Sequence, residues 1–354
     1  MIEIEKLFRV VAEKRASDLH IIANAPPYLR IDGDLVPVGK TILTSQETHK
    51  MLYNLLTEDQ KKTFEQEKSL DIGFCYWCQE DNSIHRFRIN IFQQQGAVSA
   101  AFRSIPNILP DFEELRLPRI LKTLVQSALG LLIITGPTGH GKSTTLAAAV
   151  DLINNTKASH IITIEDPVEY IHEHKRSIVE QREVGRDTPT FHAALKYVLR
   201  QDPDVILIGE MRDRETISCA LTASETGHLV MATLHTNDAV QTIDRLVDVF
   251  PPEQQHQIRL QLALCLTAVI AQRLLPKSDR EGRAVACEVL LNNTAVANLI
   301  RDAKSHQIYS VLETRTQEGM CSLDQAIENL YREGVITKET ALAHMKKPEK
   351  IAKF

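Results

Sequence analysis

Residues 131–153 read LLIIT-GPTGHGKS-TTLAAAVDLI: an apolar strand, a glycine-rich turn and a helix-forming stretch in direct succession. The turn Gly136-Pro137-Thr138-Gly139-His140-Gly141-Lys142-Ser143 fits G-x-x-x-x-G-K-[ST] in the strand–loop–helix setting that gives the pattern its meaning. Glycines let backbone N–H groups curl around phosphate oxygens, and the following helix start favours negative charge. Lys142 would reach the β- and γ-phosphates, and the Ser143 hydroxyl would hold Mg²⁺. The nucleotide-contacting set is therefore residues 136–143 with Thr144. His140 is unusual inside such a loop and is expected to face the phosphate with its backbone rather than its ring.

Apolar runs recur on the C-terminal side at 160–165 (HIITIE), 205–209 (VILIG) and 228–234 (HLVMATL), with helical patterns between them. Continuous apolar strands separated by helices indicate a parallel sheet buried on both faces, an α/β domain. Such sheets bind ligands at the carboxyl ends of their strands. Glu210, Glu165 with Asp166, and His235 each follow a strand, so three strands deliver polar groups to the edge that carries the loop. His228, at the start of its strand, is included in the nucleotide-binding set. Gly209 stands where a common Walker B motif has Asp, so support for Mg²⁺ is expected from Glu165. From residue 252 the chain reads as mostly helical, with patterns over 254–272, 294–301 and 323–331, and 345–354 as a solvated tail.

Toward the N-terminus, residues 1–104 read as a small α+β unit. Ile4, Leu7, Phe8 and Val11 recur at helical spacing. Asp32-Gly33 between short apolar runs signals a hairpin, and Thr44-x-x-Glu47 and Thr57-x-x-Gln60 are capping boxes. Phe87, Ile89 and Ile91 alternate with Arg86, Arg88 and Asn90, and after residues 93–96 the alternation returns in Val98, Ala100 and Phe102. With those four residues as the loop, Phe92 pairs with Ala97, Phe87 with Phe102, and Arg86 with Arg103. Like charges face to face call for an anion between them; the plain alternative is a solvated arginine face. Pro106, Pro110 and Pro118 mark 105–118 as a linker, leaving 119–354 as the second domain.

A chain of 354 residues exceeds one ordinary core. Lys plus Arg number 41 against 46 Asp plus Glu, a net charge of −5 that argues against a nucleic-acid scaffold. Six scattered cysteines do not form a disulfide framework, and the Cys75-x-x-Cys78 spacing sends the two thiols to opposite strand faces. His172-x-His174 lies in a polar stretch and reads as a solvated loop. No signal peptide or long apolar run is evident, so a cytoplasmic protein without membrane insertion is expected.

At this point the chain resembles the type IV pilus retraction ATPases, the PilT branch of the secretion ATPase superfamily. TIEDPVEY (163–170) looks like the family's Asp box, VILIGEMRD (205–213) its Walker B and GHLVMATLHTNDA (227–239) its His box. ASDLHI (16–21), RIDGDL (30–35), RFRINIF (86–92) and AFRSIP (101–106) look like its N-terminal domain, and GMCSLDQAI (319–327) like the tail of this branch. The resemblance implies a PAS-like N-terminal domain, a RecA-like ATPase domain, and a homo-hexameric ring with ATP between the two domains. It implies Glu210 as the catalytic glutamate, Glu165 in the Mg²⁺ and water environment, His235 as γ-phosphate sensor, and Arg88 and Arg103 reaching nucleotide. The implied partner is an inner-membrane platform protein of the pilus, at which the ring is peripheral; a paralogous retraction ATPase is another.

Two departures bear on this. The loop after RFRINIF carries QQQGAV where the family usually has an arginine, and a C-terminal signature written AIRNLIRE in the family stands here as AVANLIRD (295–302). An accessory retraction or secretion-channel ATPase, or a weakly hydrolysing nucleotide-dependent binding module, therefore stays open as an alternative.

Overall fold

The computed structural model describes residues 3–14, 16–31, 33–78, 83–105, 109–279, 282–315 and 318–352. The chain forms two compact units, 1–108 and 109–354.

The first unit is a six-stranded antiparallel sheet with three helices. Its helices are α1 (Ile4–Glu13), α2 (Ser45–Tyr53) and α3 (Glu58–Glu67). Its strands are β1 (Asp18–Ile21), β2 (Tyr28–Ile31), β3 (Asp34–Pro37), β4 (Ser69–Cys78), β5 (Ser83–Gln94) and β6 (Ala97–Ile105), ordered β3-β2-β1-β6-β5-β4. Both capping boxes form. The β2–β3 hairpin closes with Ile31 opposite Asp34; Asp32 itself lies outside the described residues. The core gathers Leu7, Phe8 and Val11 of α1 with Phe64, Phe87, Ile89 and Phe102. Phe8 stacks on Phe87 with ring centres 4.5 Å apart.

The β5–β6 register differs from the expected one by two residues. Gln94 pairs with Ala97, Phe87 with Ser104, and Arg88 directly with Arg103. The cause is the turn: Gln95 and Gly96 both take positive φ, +48° and +76°, which makes a two-residue hairpin turn and returns Gln93 and Gln94 to the strand. A shift of two keeps every side chain on its face. The arginine pair is compensated from within the sheet. Arg103 donates to Asp18 Oδ1 at 3.2 Å, and Arg88 lies 4.0 Å from Asp71 Oδ2. The register therefore does not by itself demand an outside anion. Cys75 is exposed and Cys78 buried, on opposite faces of β4.

In the second unit β7 (Gly130–Thr135), β8 (His160–Glu165), β9 (Ile178–Glu183), β10 (Val205–Ile208), β11 (Leu229–Leu234), β12 (Leu266–Pro276) and β13 (Arg283–Leu291) form one sheet ordered β13-β12-β7-β11-β10-β8-β9. All pairings are parallel except β12–β13. The α-helices are α4 (Arg119–Val125), α5 (Lys142–Thr156), α6 (Phe191–Val198), α7 (Arg214–Glu225), α8 (Ala239–Asp248), α9 (Pro252–Cys265), α10 (Thr294–Arg301), α11 (Ile308–Thr314), α12 (Leu323–Arg332), α13 (Lys338–His344) and α14 (Glu349–Ala352). Strands β7 and β11 are buried at every position, as a sheet covered on both faces requires.

Three expectations change. The helical pattern over 254–272 stops at Cys265, and 266–276 is β12; its run LTAVIAQRLL satisfies either period, and pairing with β7 and β13 selects the strand. The stretch 105–118 divides: Pro106 lies outside the described residues, while Phe112 and Leu117 are buried in the second unit's core. The tail is not solvated. Met345 and Ile351 are buried against Leu323, Ile327 and Ile336, and Lys346 Nζ donates to the fully buried Asp238 at 2.6 Å.

Candidate active site

Parallel strands of matched register end at one edge, and that edge assembles the site. Thr135 pairs with Leu234, so the loop beginning at Gly136 emerges beside His235. Ile208 pairs with both Ala232 and Ile164, so Glu210 and Glu165 follow on the same edge. His228 does not join them: it precedes β11, level with the start of β7, and its Nδ1 lies 2.9 Å from the Ala223 carbonyl. Six residues of extended strand separate it from His235, about 23 Å at 3.3 Å per residue over seven steps. Its inclusion in the nucleotide-binding set is therefore corrected: within this unit it belongs to the opposite edge.

The loop is shaped by glycine. Gly136, Gly139 and Gly141 take φ of +143°, +79° and +80°, backbone that glycine adopts without a Cβ penalty. A Cβ on Gly136 would stand 2.3 Å from the Gln272 carbonyl oxygen, so the loop also needs glycine to pass β12 closely. Gln272, on β12 and almost fully buried, was not singled out by sequence reasoning. Its Nε2 donates to the His140 carbonyl at 2.7 Å and its Oε1 accepts from the Thr145 hydroxyl at 2.8 Å. Such a bridge between residues more than 120 apart leaves no local signal. Arg283 likewise donates to the Gly139 carbonyl at 3.0 Å.

Lys142 Nζ donates to the carbonyls of Gly136 at 2.8 Å and Pro137 at 3.1 Å, and lies 3.2 Å from His235 Nδ1. Burial lowers its pKa, against the charges of Glu210 and Glu169. An ammonium can only donate, so His235 Nδ1 accepts and its Nε2 carries the hydrogen. That Nε2 lies 3.1 Å from Glu210 Oε1, which also accepts from Arg212 Nε at 2.6 Å. Partial burial works to raise the Glu210 pKa, but the hydrogen bond from Arg212 and the neighbouring His235 outweigh it and the carboxyl sits below its ordinary value. Glu210 is thus ionised at neutral pH, as a group that draws a proton from water must be. Arg212 is a further residue that the sequence reading passed over.

Glu165 ends β8. Its Oε1 accepts from Thr163 Oγ1 at 2.7 Å and Gln181 Nε2 at 3.3 Å, and burial pushes its pKa up to about 7. Gln181 also holds the Tyr170 carbonyl at 2.7 Å and the His172 amide at 2.8 Å, and Tyr170 OH contacts Thr144 Oγ1 at 3.0 Å. His172 is accordingly not a solvated loop residue; burial pushes its pKa down to about 4. The glycine at 209 has a steric reason: a Cβ there would come within 3.2 Å of Glu165 Cα and of the Ile164 carbonyl oxygen. Arg88 and Arg103 belong to the first unit, where they pair with each other as described.

A parallel sheet with a glycine-rich phosphate loop after a central strand, a lysine at the loop's end and an ionised glutamate on the same edge defines a P-loop nucleotide-binding protein. More particularly, the chain belongs to the family described as Type II/IV secretion system protein, whose model matches residues 1–343. It is 45% identical over 347 residues to the type IV pilus retraction ATPase PilT of Pseudomonas aeruginosa, covering 98% of this chain and 99% of that one. It is 44% identical to the type IV pilus ATPase PilU of the same organism, covering 97% and 88%. Among solved structures, the pilus retraction motor PilT with bound ADP superposes with a TM-score of 0.91 at 44% identity, over the whole of both chains.

Proposed function

We propose that this protein is an ATP-hydrolysing motor that powers type IV pilus retraction and twitching motility. The observation that carries the reading is the edge constellation, phosphate loop with Lys142, His235 and Glu210 in one hydrogen-bonded chain, within a sequence similar to PilT over its full length. In it, the loop amides and Lys142 grip the β- and γ-phosphates, Glu210 accepts a proton from the attacking water, and His235 reads the γ-phosphate. Ser143 and Glu165 supply the hard oxygen donors that Mg²⁺ prefers, and a magnesium site completed by phosphates and water needs few protein ligands. Bound there, the ion would neutralise phosphate charge and hold ionised a Glu165 carboxyl whose pKa burial otherwise raises to about 7. Arg88 and Arg103 are assigned to nucleotide contact on the family resemblance alone, since Asp18 and Asp71 already face them within the sheet. The same resemblance supports a homo-hexamer, a platform protein at the inner membrane and a paralogous retraction ATPase as partners, and a cytoplasmic location. Among the described residues no helix is long and apolar enough to cross a membrane.

Phosphate release by the purified protein tests the enzyme. Glu210→Gln should slow it by at least about 100-fold while ADP still binds; equal rates would end the assignment. In the source organism, loss of the gene should leave cells piliated but unable to twitch, and cells that still twitch would refute the retraction role.

A further inference from the structure

Strand β12 outruns β7: their last shared rung is Ala271 with Thr135, after which β7 gives way to the phosphate loop and β12 continues through Pro276. β13 still pairs with the other side of that overhang, but its amides on the side β7 has left need acceptors from elsewhere. The Leu274 N–H finds one in the ring of His140, donating to Nδ1 at 2.9 Å. The Gln272 side chain holds the carbonyl of the same residue at 2.7 Å. One loop residue is thus gripped at its ring and at its backbone by a single strand, which Thr145 also ties to α5. We propose that His140 is a positioning residue whose ring pins the phosphate loop to β12 in its nucleotide-binding shape and so prolongs retention of nucleotide.

A loop with three left-handed glycines is costly to order. Fixing it before the ligand arrives removes that cost from binding. The bracket works only with a neutral ring hydrogenated at Nε2, because a donor amide requires an acceptor at Nδ1. Burial, with Arg283, Arg273, Lys142 and His344 nearby, favours that neutral form.

The proposal rests on the nucleotide reading above, and two measurements keep them separable. Dissociation of fluorescent ADP is followed by stopped flow, and exchange of the Leu274 amide by mass spectrometry or NMR, in wild type, His140→Leu and His140→Asn. Asparagine Oδ1 can stand where Nδ1 stands, and leucine has bulk but no acceptor. ADP should leave His140→Leu about 5- to 10-fold faster, as loss of one partly buried hydrogen bond predicts, with near wild-type release from His140→Asn. Leu274 exchange should accelerate in the leucine variant alone. Wild-type ADP release from His140→Leu, or no rescue by asparagine, overturns the role in retention. Unaltered Leu274 exchange in His140→Leu overturns the bracket itself. Failure of the wild type to bind ADP would instead overturn the nucleotide reading, and the exchange comparison would still test the bracket.

Discussion

Lys142 is held by two neutral carbonyls and a neutral imidazole nitrogen. A phosphate oxygen carries charge and outcompetes such acceptors, so the residue is already aimed at the space a phosphate would take. Lys142→Ala should weaken ADP binding by at least about 100-fold in a fluorescence titration, consistent with loss of a charge-assisted contact; unchanged affinity would remove the phosphate role. His172 makes a separate, pH-dependent contribution. Its folded pKa, about 4, lies below the ordinary 6.5. Above 6.5 it is neutral in both states; as pH falls toward 4 the unfolded chain takes up a proton that the folded protein refuses. Stability should therefore drop by up to about 3 kcal/mol over that interval at 1.36 kcal/mol per unit. His172→Gln should flatten that part of the profile in denaturant titrations, and a profile identical to wild type would exclude the contribution.

Elements set what could be read from sequence. The β7–loop–α5 unit was legible because its chemistry is local: strand, glycines, lysine and helix lie within 23 consecutive residues. The edge residues Glu210, Glu165 and His235 were legible because parallel strands end together. The β5–β6 register was misplaced because a Gln-Gly turn with positive φ at both positions looks, in sequence, like part of a longer loop. His228 was included in the nucleotide-binding set although strand direction alone puts it at the far edge of its unit. Gln272 and β12 were hidden because a buried strand and a buried helix share an apolar signature. Gly209 looked like a missing aspartate until the closeness of β8 and β10 explained it. Gly209→Ala should cost about 1–3 kcal/mol in chemical denaturation, the usual penalty of overpacking; a neutral result would mean the two strands part easily.

For the whole molecule, the most consequential contact joins residues 108 positions apart. Asp238 caps α8 with Oδ1 on the Gln241 amide at 2.9 Å, and its Oδ2 takes Tyr309 OH at 3.1 Å and Lys346 Nζ at 2.6 Å. Asp324 clasps the amides of Lys346 and Lys347 at 2.8 and 2.9 Å, and Ile351 beyond them is fully buried. Lys346→Met leaves a buried carboxylate without its cation and should cost about 3–5 kcal/mol, read as a lowered unfolding midpoint; a loss below 1 kcal/mol would show that the hydrogen bonds to Asp238 suffice. The turn 235–238 carries both His235 and this aspartate. The edge that carries the phosphate loop is thus tied through one buried carboxylate to residues 345–352, and a chain cut before Lys346 would keep every edge residue yet lose the contact that steadies their turn.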